Sequence, residues 1–194
     1  MAETEKTLFL LCLFLPDGQY DESHRFLIKR IKEYADRLII IVNGNSEKIA
    51  RDPLLDNITV FQRDNVGFDF GAFKYFFTET ENAKDVFDFN QIVLINDSCF
   101  GPIYSFDDMF AKMVGRNCDF WGITVHLPAS VVLFGRETKI PKHIQTYFLV
   151  FSRKVFNSDT FWNFWKELPY FVNFDEAVTM GEIYLTEYFV NARS

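Results

Sequence analysis

Cysteine is scarce and odd in number: Cys12, Cys99 and Cys118 are the only three. None of them forms a Cys-x-x-Cys spacing, so neither a disulfide framework nor a cysteine zinc site organises the chain. A reducing, cytoplasmic setting is the expectation. Positive charge is also short, with 20 Lys and Arg against 27 Asp and Glu and a net charge of −7. Displacing counterions from a phosphate backbone needs a basic face, so no nucleic-acid partner is expected. The longest apolar run, Leu8 to Leu15, follows Glu3, Glu5 and Lys6. It has no basic leader and falls far short of the roughly 20 residues that cross a bilayer, which leaves a buried strand. No GxxxxGK[ST] loop, GxSxG elbow or strand-linked GxGxxG occurs, which weighs against other phosphate-handling or hydrolytic α/β enzymes. No internal repeat is visible.

What is present is an ordinary globular balance, 48% hydrophobic and 24% charged, in 194 residues. That length suits one domain with a sizeable core. Aromatic residues are the excess, 18% with 24 Phe, and a Phe-heavy core is the simplest use for them. The run Thr7–Leu15 reads as a strand stopped by Pro16, Asp17 and Gly18, and Leu27, Ile31 and Tyr34 then recur at helical spacing. Arg37–Val42 reads as a second strand, Ser46–Asp52 as a short helix, Asn57–Gln62 as a third strand, and Asp69–Thr78 as a helix with Phe70, Phe73 and Phe77 on one side. Gln91–Ile95 is a fourth strand. A helix near Phe106–Val114, a strand at Phe120–Val125, a loop carrying Pro128 and Pro141, a strand near Thr146–Phe151 and two closing helices complete the reading. Apolar runs without alternation mark strands covered on both faces, so the sheet is expected to be mostly parallel.

In such sheets ligands bind beyond the carboxyl ends of the strands, and three strand ends collect polar residues. They are Asn43 and Gly44, the segment from Arg63 to Lys74, and Asn96, Asp97 and Ser98. Gly67 stands where a turn requires positive φ, and Asp69 where a helix takes an N-cap. One reading is a purely structural turn. The other is a nucleotide-binding loop, with Asn65 and Asp69 on base or ribose, the helix N-terminus on the diphosphate and Lys74 assisting. Asp97 is either a turn-capping residue or a ligand for a hard cation such as Mg²⁺ or Mn²⁺, which one or two carboxylates plus water and phosphate oxygens can hold. His126 and His143 are placed to touch phosphate, metal or acceptor, or else to be hydrogen-bonded structure, and His126 is the second candidate metal ligand. His24 is expected on an exposed helix face. Gln145 is placed for sugar hydroxyls, and Trp121 either flanks a sugar or packs in the core.

The segments NVGFDFGAFK, VLINDSCFGP, DFWGIT, HIQTYFLVFS and GEIYLTEYF resemble, in the same order, the rhamnan synthesis protein F family, and the resemblance covers most of the chain. It implies a GT-A-like, Rossmann-type α/β/α sandwich and a nucleotide-sugar-dependent glycosyltransferase, a hexosyltransferase working on cell-surface polysaccharide or a lipid-linked glycan. The family name implies rhamnose as the sugar and dTDP-rhamnose as the donor. GT-A enzymes carry an Asp-x-Asp signature at the place of Asn96, Asp97 and Ser98, where only Asp97 is acidic. With a divalent cation on Asp97, a late carboxylate would act as base in an inverting transfer. Glu182 is the candidate, with Asp175, Glu176 and Glu187 as rivals and a plain helix-terminus role as the alternative. The expected setting is the cytoplasm or the inner face of the cytoplasmic membrane, with segments outside this chain closing the acceptor site or docking at the membrane. Residues 1–194 are then a single glycosyltransferase-like domain, cut short where Asn191 to Ser194 follow a helical pattern. The alternative is a non-catalytic nucleotide- or glycan-binding module of the same fold.

Overall fold

The computed structural model describes residues 6–116 and 118–192, so Glu3, Glu5 and the end at Arg193 and Ser194 lie outside the described residues. A six-stranded sheet runs in the order β3-β2-β1-β4-β10-β5. It is built from β1 (Thr7–Leu15), β2 (Arg37–Gly44), β3 (Thr59–Arg63), β4 (Gln91–Asn96), β5 (Phe120–Gly122) and β10 (Phe148–Ser152). The first four strands are parallel, and β10 lies antiparallel between β4 and β5. The expected mostly parallel α/β sheet is therefore present, with β1 at its centre and buried along its length except at Phe14.

Alternation along the strands divides the core into two layers. On one face Leu8, Leu10, Cys12, Ile39, Ile41 and Leu94 pack under α2 (Phe68–Glu79), α5 (Asp159–Glu167) and α7 (Tyr184–Asn191). On the other, Phe9, Leu11, Leu13, Ile40, Val93 and Val150 pack under α1 (Glu22–Lys32) and α3 (Asp107–Met113). The phenylalanines are spent largely there: Phe70, Phe73, Phe76 and Phe77 of α2 are all buried, and Trp165 is fully buried against Phe70, Phe73 and Phe77. Helix α1 begins where the Asp21 carboxylate accepts the Ser23 and His24 amides, and it buries Leu27, Ile28 and Ile31, as the helical spacing predicts.

Several elements differ from the sequence reading. Pro53 lacks the N–H a continuing helix would need, and Ser46–Asp52 gives only 3₁₀ turns at Ile49–Arg51 and Pro53–Leu55. The expected strand 120–125 stops at Gly122, where a Cβ would lie 2.3 Å from Ile144 Cγ2. The chain leaves the sheet there, and β6 (Val125–His126) pairs instead with β9 (His143–Ile144). The loop expected between Pro128 and Pro141 is a hairpin, β7 (Ala129–Leu133) with β8 (Arg136–Ile140). Phe134 and Gly135 turn it with φ of 51° and 70°, the primed-turn geometry that matches strand twist. The closing segment runs from α6 (Phe174–Glu176) through a π-helical stretch, Ala177–Ile183, into α7. A short α4 (Arg153–Phe156) links β10 to α5. Among the described residues no helix is long and apolar enough to cross a membrane.

Candidate functional site

The strand order reverses between β1 and β4, and the polar strand ends converge at that switch point. Register and alternation fix which side each residue takes. Cys12 pairs with Asn96, and Asn43 stands between Phe14 and Arg63. Cys12, Asn43 and Asn96 therefore project on the α2 side, and Asp97, one residue on, turns toward α1.

Asn43 is 1% exposed and fully used. Its amide donates to Asn65 Oδ1 (3.0 Å) and to the Phe68 carbonyl (2.8 Å), and its Oδ1 accepts from Arg63 Nη1 (2.8 Å). Arg63 Nη2 donates to the Val66 carbonyl at 2.7 Å. One buried amide and one guanidinium thus hold the 64–68 loop in shape. Glycine is required twice in this arrangement. Gly67, with φ of 77°, turns the chain into α2, and a Cβ on Gly71 would stand 2.0 Å from the Val66 carbonyl oxygen. Gly44 is equally constrained, with φ of 126° and the Leu15 carbonyl 2.2 Å from where a Cβ would be.

Asp69 does not cap α2. Gly67 holds the N-cap position, and Asp69 sits one step into the first turn, where its Oδ2 accepts from Asn96 Nδ2 at 2.6 Å and its Oδ1 from the Phe70 amide. Asn96 Oδ1 in turn accepts the Ser98 amide. Burial pushes the Asp69 carboxyl above its ordinary value, the nearby Glu182 adds to this, and the two hydrogen bonds oppose it. Asp97 accepts the Phe14 amide at 2.9 Å, and its carboxyl too is raised by burial. The Cys12 thiol between them is buried and pushed well up, first by burial and then by Asp69 and Asp97, with Arg63 pulling the other way. Both carboxyls therefore act on this one buried thiol.

A second cluster adjoins the first. His143, 2% exposed, places Nδ1 2.9 Å from the Pro141 carbonyl and Nε2 3.0 Å from Glu182 Oε1. Both partners accept, so both contacts are hydrogen bonds only when the pair holds one proton more than a neutral imidazole beside a carboxylate. Glu182 Oε2 accepts the Thr146 amide and hydroxyl, each at 3.0 Å. A carboxylate offers about four acceptor positions, and one is left. Glu182 lies in the π-helical stretch, a widening that tends to accompany functional sites. His126 stacks on His143 with ring centroids 5.0 Å apart and donates through Nδ1 to the Leu127 carbonyl. Gln145 accepts the Thr124 hydroxyl at 2.8 Å.

The crevice thus gathers Asn43, Gly44, Arg63, Asn65, Gly67, Asp69, Asn96, Asp97 and Ser98, with Glu182, His143, His126 and Gln145 on its flank. Two expected members stand elsewhere. Lys74 Nζ donates to the Trp165 and Lys166 carbonyls at 2.9 Å and is committed to joining α2 with α5. Trp121 packs on Phe110 and lines a cleft with Thr7 and Tyr34, at the amino ends of the strands. His24, read as exposed, has only 15% of its side chain in solvent, and its Nε2 is 3.7 Å from Asp97. The signal was topological: the helix after β1 starts at the carboxyl end of the sheet, beside Asp97.

Among the described residues there is no group of three or more His, Cys, Asp or Glu placed to hold a metal. To a divalent cation Asp69 and Asp97 would offer hard carboxylate oxygens, with phosphate oxygens and water completing the shell. His126 makes its contacts with the Glu182 cluster and shares no hydrogen bond with Asp97.

Comparison with known proteins agrees with this architecture. An uncharacterized protein, y4gN, of Sinorhizobium fredii (strain NBRC 101917 / NGR234) is 26% identical over 136 residues, which are 67% of this chain and 32% of that relative. The chain thus matches about a third of that protein's length. A CMP:2-keto-3-deoxy-manno-octonic acid synthetase solved with CTP superposes with a TM-score of 0.53 at 8% identity, over 97% of this chain and 86% of its own. It shows the shared Rossmann-type fold. A cytidylyltransferase from Leptospira borgpetersenii serovar Hardjo-bovis (strain JB197) aligns at a TM-score of 0.44 and 12% identity, over 98% and 73% of the two chains, too distant to carry an argument. The family model for rhamnan synthesis protein F matches residues 38–193, which takes in the Asn43, Asp69, Asp97 and Glu182 segments, and the chain belongs to that family.

Proposed function

We propose that this chain is the donor-binding part of a GT-A-like glycosyltransferase that moves a sugar from a nucleoside-diphosphate donor to a cell-surface or lipid-linked glycan at the cytoplasmic face of the membrane. The observation that carries the reading is the pair of half-buried carboxyls, Asp69 and Asp97, at the β1/β4 switch point, where parallel α/β sheets bind nucleotides. Family membership points to rhamnan-type polysaccharide, and so to dTDP-rhamnose as donor. The solved neighbour with CTP supplies a nucleotide ligand on a related fold.

In this mechanism the loop braced by Asn43 and Arg63 presents Asn65 to the base or ribose, and the first turn of α2 faces the diphosphate. A Mg²⁺ or Mn²⁺ ion bound by Asp97 and Asp69 would supply the charge that stabilises the departing diphosphate. Glu182 takes the proton of the acceptor hydroxyl through its one open acceptor position, while His143 and Thr146 fix its orientation. The acceptor oxygen bonds to the anomeric carbon as the bond to the diphosphate breaks, and the single displacement inverts that carbon. Gln145 and Ser98 are placed for sugar hydroxyls.

The reading is tested by incubating the chain with dTDP-rhamnose and a rhamnose-terminated acceptor and following dTDP release. Turnover is expected with Mg²⁺ or Mn²⁺, with kcat falling at least 100-fold in Glu182→Gln while donor affinity stays within about threefold. The second reading, a non-catalytic module, is favoured by the full use of Glu182 Oε2 by Thr146. Donor binding without any dTDP release would select it.

A further inference from the structure

One cavity of the molecule lies away from the crevice. A cleft of about 750 Å³ opens at the opposite end of the sheet, between Tyr34 after α1, the segment after α3, and the amino ends of the strands. The register builds its floor. Gln91 pairs with Thr7 on one side and Ser152 on the other, and Val150 pairs with Trp121. Alternation puts all five on the α1/α3 face. Helix α3 has only seven residues, too few to cover that stretch, and the gap it leaves is the cleft.

The chemistry of the lining is specific. Trp121 is half-buried, held edge-on by Phe110 at 5.3 Å and against Phe148 at 6.1 Å, and it lines the cleft. Its indole N–H meets no acceptor among the described residues. The Ser152 hydroxyl is buried behind the cleft wall and makes no hydrogen bond among the described residues, which costs stability. Gln91 uses its amide N–H on Thr7 Oγ1 and keeps its carbonyl oxygen, and Asn90 uses its carbonyl oxygen on the Lys6 amide and keeps its NH₂. An indole bordered by free donors and acceptors at fixed positions matches a pyranose, with its C–H face and ring of hydroxyls. The charges nearby are of both signs: Asp36 is bonded to the Thr7 amide, Asp119 pairs with Lys154, and Arg116 is exposed. That mixture gives an anionic ligand no net attraction.

We propose that this cleft is a second ligand site, for a neutral saccharide, separate from the nucleotide crevice. Trp121 covers one sugar face, and Gln91 and Asn90 bind its hydroxyls. It would hold a glycan chain away from the reacting end, and its existence does not depend on the reaction at the crevice.

The test is a titration of the whole chain with L-rhamnose, a rhamnose disaccharide, D-glucose and maltose, followed by the Trp121 indole N–H resonance. At least one saccharide is expected to shift that resonance, with a dissociation constant of about 1 mM for such small probes. Trp121→Phe, in which that resonance is lost and binding is followed through the saccharide's own resonances, should weaken binding at least tenfold, and Gln91→Ala several-fold. Asp97→Asn should leave it unchanged, as should saturation with dTDP. Trp121→Phe keeps an aromatic ring against Phe110, and Gln91→Ala removes one side-chain hydrogen bond to Thr7 Oγ1, so both variants are expected to fold. No shift with any saccharide, unchanged affinity in both variants, or displacement of the saccharide by dTDP would each overturn the proposal.

Discussion

The two ends of the central sheet bring polar side chains to the mouth of an apolar slab in opposite ways. At the carboxyl ends Asn43, Arg63, Asn65, Asn96 and Asp69 bond to one another and to the loop backbone. At the amino ends, in the cleft, the Ser152 hydroxyl and the Trp121 indole N–H find no partner among the described residues. The first arrangement is pre-organised: its geometry is set before a ligand arrives, so little ordering remains to oppose binding. The second waits for its partner. A site for a charged, multiply bonded nucleotide needs the first kind of construction, and a weak site for a neutral chain can use the second.

The sharpest break in this comparison comes from one substitution made at both ends. Gly71→Ala puts a Cβ 2.0 Å from the Val66 carbonyl, and the loop must move. A loss of about 3 kcal/mol is expected, a fall in Tm of roughly 6–12 °C for a chain of this size. Gly115→Ala at the amino end meets nothing within 4 Å and carries only the strain of φ +75°, about 1 kcal/mol. Thermal unfolding followed by circular dichroism distinguishes them, and equal losses would remove the claimed difference in rigidity.

Next in size is the polar counterpart. Asn43→Ala leaves the Phe68 carbonyl and Arg63 without their buried partner, an expected loss of about 2–3 kcal/mol in urea unfolding. Ser152→Ala deletes a hydroxyl that has no partner, and its stability should match or exceed wild type by up to about 1 kcal/mol. A destabilised Ser152→Ala would mean that the hydroxyl is bonded in solution.

Smaller, and dependent on pH, is the effect of Asp97→Asn. Burial raises the folded-state value of this carboxyl above its unfolded value, so the folded protein binds the proton more tightly and bears a cost wherever Asp97 is ionised. That cost is present at pH 7 and disappears as pH falls through the raised value. Asparagine keeps an oxygen for the Phe14 amide. The variant should therefore melt at the wild-type temperature or up to about 3 °C higher at pH 7, with the two curves merging below about pH 4. A variant less stable at pH 7 would assign Asp97 a structural role. Least affected of all is the exposed Arg51–Glu47 pair, where Arg51→Ala should change stability by less than about 0.5 kcal/mol.

The parallel half of the fold was legible because its signals are local. Thr7–Leu15 and Gln91–Ile95 are apolar without alternation, and Phe70, Phe73 and Phe77 recur at helical spacing. The turn at Gly67 was legible for the same reason, since positive φ narrows the choice of residue. The segment from Gly122 to Thr146 was not legible. Strand β7 is mostly exposed and carries no burial pattern, and the break at Gly122 depends on Ile144, more than 20 residues away. The site shows the same division. The polar strand ends were visible, whereas the choice between the alternatives for Lys74 and for Trp121 was not, because their positions depend on α5 and α3, whose packing no local spacing reports. The bond between His143 and Glu182 joins residues 39 apart, and each was visible only as a single candidate.

The central claim is that the carboxyl-end crevice binds a nucleoside diphosphate with the help of its half-buried carboxyls, Asp69 and Asp97. It is tested most directly by calorimetric titration of dTDP, UDP, GDP and dTDP-rhamnose, with and without Mg²⁺ or Mn²⁺, into wild type and Asp97→Asn. The account predicts cation-dependent binding of one nucleotide, with affinity reduced at least tenfold in an Asp97→Asn protein that melts no lower than wild type. Wild-type protein that is folded yet binds none of the four, or binding that Asp97→Asn leaves intact, would contradict it.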